Sequence, residues 1–215
     1  SWGGSGIEAW MNEQTLSSIE GVDIEAAKST KRDVHHRLEC LYNSMLYPVK
    51  NFTARGFLWY QGESNISNYQ FYAPMMTAMV QLWRNVWEAP DMPFYYVQIA
   101  PHKYKDSRDT GAALLREAQM EALKTIPNSG MVPTTDIGDE FCIHPPQKDV
   151  VGLRLATLAL TKTYCIRRLP SNGPTRTNGD YADKKAIVTL DNAPAGLFPT
   201  FSELEGFEIA GADKK

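Results

Sequence analysis

Apolar residues recur at helical spacing across residues 69–87, where Tyr72, Met76, Met79, Val80, Trp83 and Trp87 share one face. The spacing predicts a long amphipathic helix whose Met and Trp stripe is core, ended by Pro90. Short apolar runs at residues 55–60, 94–100 and 130–135 predict strands, the first of them buried. Helical patterns at residues 110–126 and 147–166 follow the second and third runs, the last with apolar residues on most faces. Upstream, residues 7–11 and 23–47 read as helical with a loop between them. The alternation β-α-β-α-β-α predicts a parallel sheet covered by helices.

The pattern changes after residue 169. Pro170, Gly173, Pro174 and Gly179 predict a linker, and residues 185–190 and 206–210 read as short strands. The expected organisation is an α/β domain over residues 1–169 whose N-terminal part is missing. Residues 170–215 are expected to hold the linker and the beginning of a β-element too short to bury a core of its own.

Composition narrows the function classes. A hydrophobic fraction of 43% supports a folded core, and a net charge of −3 leaves no basic footprint for nucleic acid. No apolar run approaches the length of a membrane span, so no membrane partner is expected. The first residues carry no charged-then-apolar signal segment. Cys40, Cys142 and Cys165 are too few and too scattered for a disulfide framework. The histidines lack the helical His/Glu spacing of a zinc hydrolase, and the pair His35 and His36 sits in a polar stretch that reads as solvated surface. Neither a metal nor another cofactor is expected.

Three clusters carry candidate chemistry. At residues 1–5, SWGGS places Gly3 and Gly4 before a helical start, where backbone N–H groups approach an anion or oxyanion closely. At residues 57–65 an apolar strand runs into Gln61, Gly62, Glu63, Ser64 and Asn65, the way an α/β enzyme presents polar groups at the C-terminal edge of a parallel sheet. A side-chain amide there suits an oxyanion hole, and Glu63 suits a substrate hydroxyl or a neighbouring side chain. Third, His144 follows the last strand of the domain and precedes a long helix, with Asp136, Asp139 and Glu140 upstream. A histidine so placed serves as general base toward a serine, and a carboxylate such as Asp139 or Asp136 fixes its tautomer.

These blocks resemble a known family. WYQGESN at residues 59–65, the SWGGS opening with IEAW, LREAQ at residues 115–119, TDIGD at residues 135–139, and Ile143-His144-Pro145 with Lys148 are similar to the sialate O-acetylesterases, within the SGNH (GDSL-like) serine hydrolases. The motifs run in the family's order from residue 1 to about residue 165, and Gly206-Phe207-Glu208-Ile209-Ala210-Gly211 resembles the start of the family's C-terminal β-domain. The resemblance implies a flavodoxin-like three-layer α/β/α sandwich that removes acetyl groups from sugar hydroxyls through an acyl-enzyme. It implies an acetylated sugar or glycan as substrate, with other acetylated glycans such as acetylxylan as the alternative. It also implies a secreted, periplasmic or lysosomal location. A non-catalytic glycan-binding or structural fragment is the reading from a different class.

Two departures set further expectations. The family's nucleophilic serine lies in a G-Q-S-N-M-like segment upstream of SWGGS, and nothing here matches it. Gly3 or Gly4 then corresponds to the second oxyanion block, and Gln61 or Asn65 to the third. The serine is expected from a missing N-terminal segment or a second chain, with Ser1 or Ser5 as the less favoured alternatives. SGNH hydrolases also place an Asp three residues before the histidine, where this chain has Phe141, and many relatives read D-I-H-P where this chain has Cys142. Asp139 or Asp136 orients His144 if the loop folds back. Otherwise a backbone carbonyl does, giving a Ser–His dyad.

Overall fold

Three four-residue strands, β1 (Phe57–Tyr60), β2 (Phe94–Val97) and β3 (Ser129–Val132), form a parallel sheet in the order β1-β2-β3. The register aligns Tyr60 with Val97 and Val97 with Val132, so the three C-terminal ends stand level. Alternation sends Phe57, Trp59, Phe94 and Tyr96 to one face and Tyr95, Val97 and Val132 to the other.

Helix α3 (Tyr72–Val86) and helix α4 (Gly111–Thr125) cover the first face, and helix α5 (Lys148–Lys162) covers β2 and β3 on the second. The result is a mixed α/β, three-layer arrangement. The Met and Trp stripe of α3 is core: Met75, Met76 and Met79 are fully buried, and Trp83 lies 5.1 Å from Phe57 and 5.5 Å from Trp59, ring centre to ring centre, in edge-on contacts. Glu88 takes a left-handed φ of 52° and stops α3 before Pro90.

This computed structural model describes residues 1–104, 110–166, 169, 171, 173–183, 185–193 and 196–197. The chain divides into two units, Ser1–Ser171 and Asn172–Lys215. Among the described residues no helix is long and apolar enough to cross a membrane. The expected strand at residues 206–210 and part of the 102–109 loop lie outside the described residues.

Several expectations need correction. Residues 23–47 hold not one helix but α2 (Ile24–Lys28), preceded by the short α1 (Glu13–Ser17), and then single turns at Val34–His36 and Tyr42–Leu46. Asp23 caps α2 by accepting from Ala26 N–H, but Glu39 sits at φ 66°, which no continuous right-handed helix accommodates. Leu38, Leu41 and Leu46 bury all the same. The first strand is not wholly buried: Leu58 is 65% exposed, because α5 lies over β2 and β3 and leaves that face of β1 open. On α5 the apolar residues do not all find cover, since Val151 and Leu158 are buried while Leu153 is 67% exposed.

In the second unit, β4 (Thr175–Ala182) and β5 (Lys185–Asp191) pair as an antiparallel hairpin. Part of the expected linker is therefore strand. Thr-Arg-Thr-Asn-Gly-Asp-Tyr-Ala shows no apolar alternation, so only pairing with β5 makes it β.

Candidate functional site

The end of β1 is built to turn sharply beneath a packed helix. A Cβ on Gly62 would stand 2.6 Å from Ile99 Cγ2 and 3.1 Å from Leu115 Cδ2, so the chain passes there only as glycine. Gln119, fully buried on α4, ties off the strand ends. Its Nε2 donates to the carbonyls of Gln61 (3.3 Å) and Val97 (3.2 Å), and its Oε1 accepts from Ile99 N–H (2.9 Å). Buried Tyr72 donates its hydroxyl toward the Gln61 carbonyl and Oε1, both at 2.9 Å.

Gln61 and Asn65 fasten the SWGGS segment to this edge. Gln61 Nε2 donates to Ser5 O (2.8 Å) and Asn65 Oδ1 (2.7 Å). Asn65 Oδ1 also accepts from Ile7 N–H (3.0 Å), and its Nδ2 donates to Glu8 Oε2 (3.0 Å). Both amide hydrogens of Gln61 are thus committed. Ser64 Oγ donates to Gly4 O at 3.0 Å, and Gly4 takes a left-handed φ of 68° that glycine supplies without strain. Ser5 is buried, its Oγ accepting from Trp10 Nε1 (2.9 Å) and donating to Trp2 O (3.2 Å).

Opposite this edge stands the loop before α5. Pro145 is buried and anchors it, while His144 is exposed. A cavity of about 400 Å³ opens between the two, lined by Gly3, Gly4, Gln61, Glu63, His144 and Lys148, with Trp2, Ser5, Tyr60, Ser64 and Ile143 completing the wall. Two blocks far apart in sequence thus meet His144 around one cavity. Lys148, in the first turn of α5, places Nζ 4.8 Å from the centre of the Tyr60 ring. Burial pushes the Glu63 carboxyl above its ordinary range, opposed by its own backbone N–H and by the charges of Lys148 and His144. Burial, with Glu63 adding, pushes the Tyr60 phenol up to about 12.

Asp136 and Asp139 do not line this cavity. Both face a neighbouring hollow of about 350 Å³ with His102 and Glu140. Asp136 is gripped by Arg154, whose NH1 and NH2 reach its two oxygens at 2.8 and 2.5 Å, and this hydrogen-bonded pairing holds its carboxyl below the ordinary range. Asp139 Oδ1 accepts from the N–H groups of Phe141 and Cys142, both at 2.8 Å. Among the described residues no group of three or more His, Cys, Asp or Glu side chains is placed to hold a metal. Trp2, Tyr60, Ser64 and Ile143 stand inside the motifs but carry no role in the sequence reading; Tyr60 reads there as one more apolar strand position.

A family model described as carbohydrate esterase, sialic acid-specific acetylesterase, matches residues 1–161 and so takes in every residue around the cavity. The chain belongs to this family. Sialate O-acetylesterases from Homo sapiens and Pongo abelii are each 30% identical over 210 residues, and that from Mus musculus is 27% identical over 217. The human alignment covers 88% of this chain and 40% of the relative. The crystal structure of a carbohydrate acetylesterase from Xanthomonas citri superposes with a TM-score of 0.81 at 32% identity, covering all of this chain and 47% of that one. The chain therefore spans less than half the length of these relatives.

Proposed function

We propose that this chain supplies one side of the acyl-transfer site of a serine carbohydrate O-acetylesterase of SGNH type, acting on O-acetylated sialates. The convergence of Gly3 and Gly4, the end of β1 and His144 on one cavity carries the reading. His144 takes the proton of a serine hydroxyl as the oxygen attacks the acetyl carbonyl, then returns it to the departing sugar oxygen. Water repeats the sequence on the acetyl-enzyme and releases acetate. Backbone N–H groups of the turn at Gly3 and Gly4 face the carbonyl oxygen as it gains charge. Gln61 and Asn65 hold that turn in place, since their own donors are already engaged.

The serine comes from residues outside this chain, either preceding it in its gene or on a second chain. Two features support this. Ser5 Oγ is engaged by Trp10 Nε1 and Trp2 O, and among the described residues β1 pairs along one edge. Family membership supports a secreted, periplasmic or lysosomal setting.

Hydrolysis of an aryl acetate tests the reading, assayed on this chain alone and joined to the residues that precede it. Activity is expected from the joined protein, with His144→Ala lowering turnover by roughly 10⁴-fold or more. Turnover unaffected by His144→Ala would overturn it. A panel of acetylated sialic acid and acetylated xylan then separates the substrate classes.

A further inference from the structure

The carboxylates upstream of His144 on its loop are spoken for, Glu140 by a pairing with Lys103 at 2.8 Å. Asp136 is held in a two-pronged pairing with Arg154, and Asp139 caps the N–H groups of Phe141 and Cys142. Both line the neighbouring hollow rather than the cavity of His144. Within the His144 cavity the acidic side chain is Glu63. It is carried on the turn after β1, a segment fixed by Gln119, Gln61 and Asn65. We infer that Glu63 is the positioning carboxylate of His144, holding the imidazole toward the cavity and stabilising the imidazolium that forms when it accepts the serine proton. The role falls to the strand-end block because the histidine loop carries Phe141 and Cys142, neither of them an acid, three and two residues before the base.

The surroundings of Glu63 agree with a carboxylate matched to a transient cation. Among the described residues the charged and titratable groups that interact with it are His144, Lys148, Tyr60, Tyr72 and Tyr104. The three phenols are pushed up by burial and stay neutral near pH 7, leaving His144 and Lys148 as the basic groups Glu63 faces. Lys148 lies in the first turn of α5, an unfavourable place for a cation against the helix dipole. Its place on the cavity wall over Tyr60 gives Glu63 a second basic neighbour beside His144, and that neighbour opposes the effect of burial on the carboxyl.

The inference rests on the esterase reading, and its test separates the two. In the joined, serine-containing protein, kcat/KM for an aryl acetate is measured against pH for wild type, Glu63→Gln, Glu63→Asp and Lys148→Met. The acid limb reports the proton on the free base. Removing a carboxylate that favours imidazolium moves that limb to lower pH and lowers kcat roughly 10²-fold or more. Glu63→Asp keeps the charge and leaves the limb near its wild-type position. Lys148→Met removes a cation and moves the limb the other way. A limb left in place by Glu63→Gln, in a variant whose thermal melt shows it folded, would sink the inference and leave the esterase intact. So would displacement in the same direction by Glu63→Gln and Lys148→Met, because lost packing carries no sign. Absence of His144-dependent turnover in the wild type would instead remove the esterase reading beneath it.

Discussion

Asn65 shows how much of a catalytic-looking motif is scaffolding. It is 1% exposed, and it joins its near neighbour Gln61 Nε2 to Ile7 N–H and the Glu8 side chain, both nearly sixty residues away in sequence. Each buried polar group left without its partner costs roughly 1–3 kcal/mol. Asn65→Leu strands three of them, so it should lower the unfolding free energy by roughly 3 kcal/mol or more. Chemical denaturation would show it as a fall in midpoint with an unchanged slope. A variant as stable as wild type would mean that the SWGGS segment is held by something else. Gln61 belongs to the same network, with its two amide hydrogens on Ser5 O and Asn65 Oδ1. A strand-end amide in sequence suits an oxyanion hole and a structural clasp equally well, and only the count of its donors separates them.

At the scale of elements, α5 is pinned to the loop after β3 by Arg154, which donates to Pro133 O (2.7 Å) and both oxygens of Asp136. Arg154 holds the Asp136 carboxyl below its ordinary 3.8, so the pair stabilises the fold above that pH and the contribution is lost as pH falls through the depressed folded value. Asp136 is more than half exposed, which limits the Coulomb part to about 1 kcal/mol or less. Arg154→Met should therefore lower the melting temperature by a few degrees at pH 6, with the difference from wild type narrowing below about pH 3.5. A difference that stayed constant down to pH 2 would assign the loss to packing. The elements themselves were legible where apolar periodicity was strong: α3, α4, α5 and the three parallel strands follow the 3.6 and buried-run patterns. Residues 23–47 were not, because Leu38, Leu41 and Leu46 anchor irregular turns at helix-like spacing while Glu39 breaks the backbone path. Strand β4 was invisible because its residues are polar on both faces. The site was legible as blocks, since SWGGS, QGESN and IHP do meet. Its polar assignments were not, because sequence order places Asp136 and Asp139 near His144 and says nothing of Arg154 or the Asx turn that claim them.

Across the whole first unit, burial is uneven. Among the described residues twenty-four hydrophobic residues form the core on the α3 and α4 face and six form that on the α5 face. Leu58 lies on the thinner side, 65% exposed, on a strand that among the described residues pairs along one edge. An apolar side chain beside unpaired backbone N–H and C=O groups is a template for another strand. If the serine-bearing residues add a strand at this edge and lay a helix over this face, Leu58 becomes core in the joined protein, and burying a leucine is worth roughly 1.5–3 kcal/mol. The same substitution then has two different outcomes. In the 215-residue chain alone, Leu58→Lys should change stability by no more than about 0.5 kcal/mol and reduce concentration-dependent association in light scattering. In the joined protein it should cost roughly 2 kcal/mol or more, because the ammonium is forced between packed layers. Equal effects in the two contexts would show that nothing covers this edge, and the site would have to find its serine from another direction.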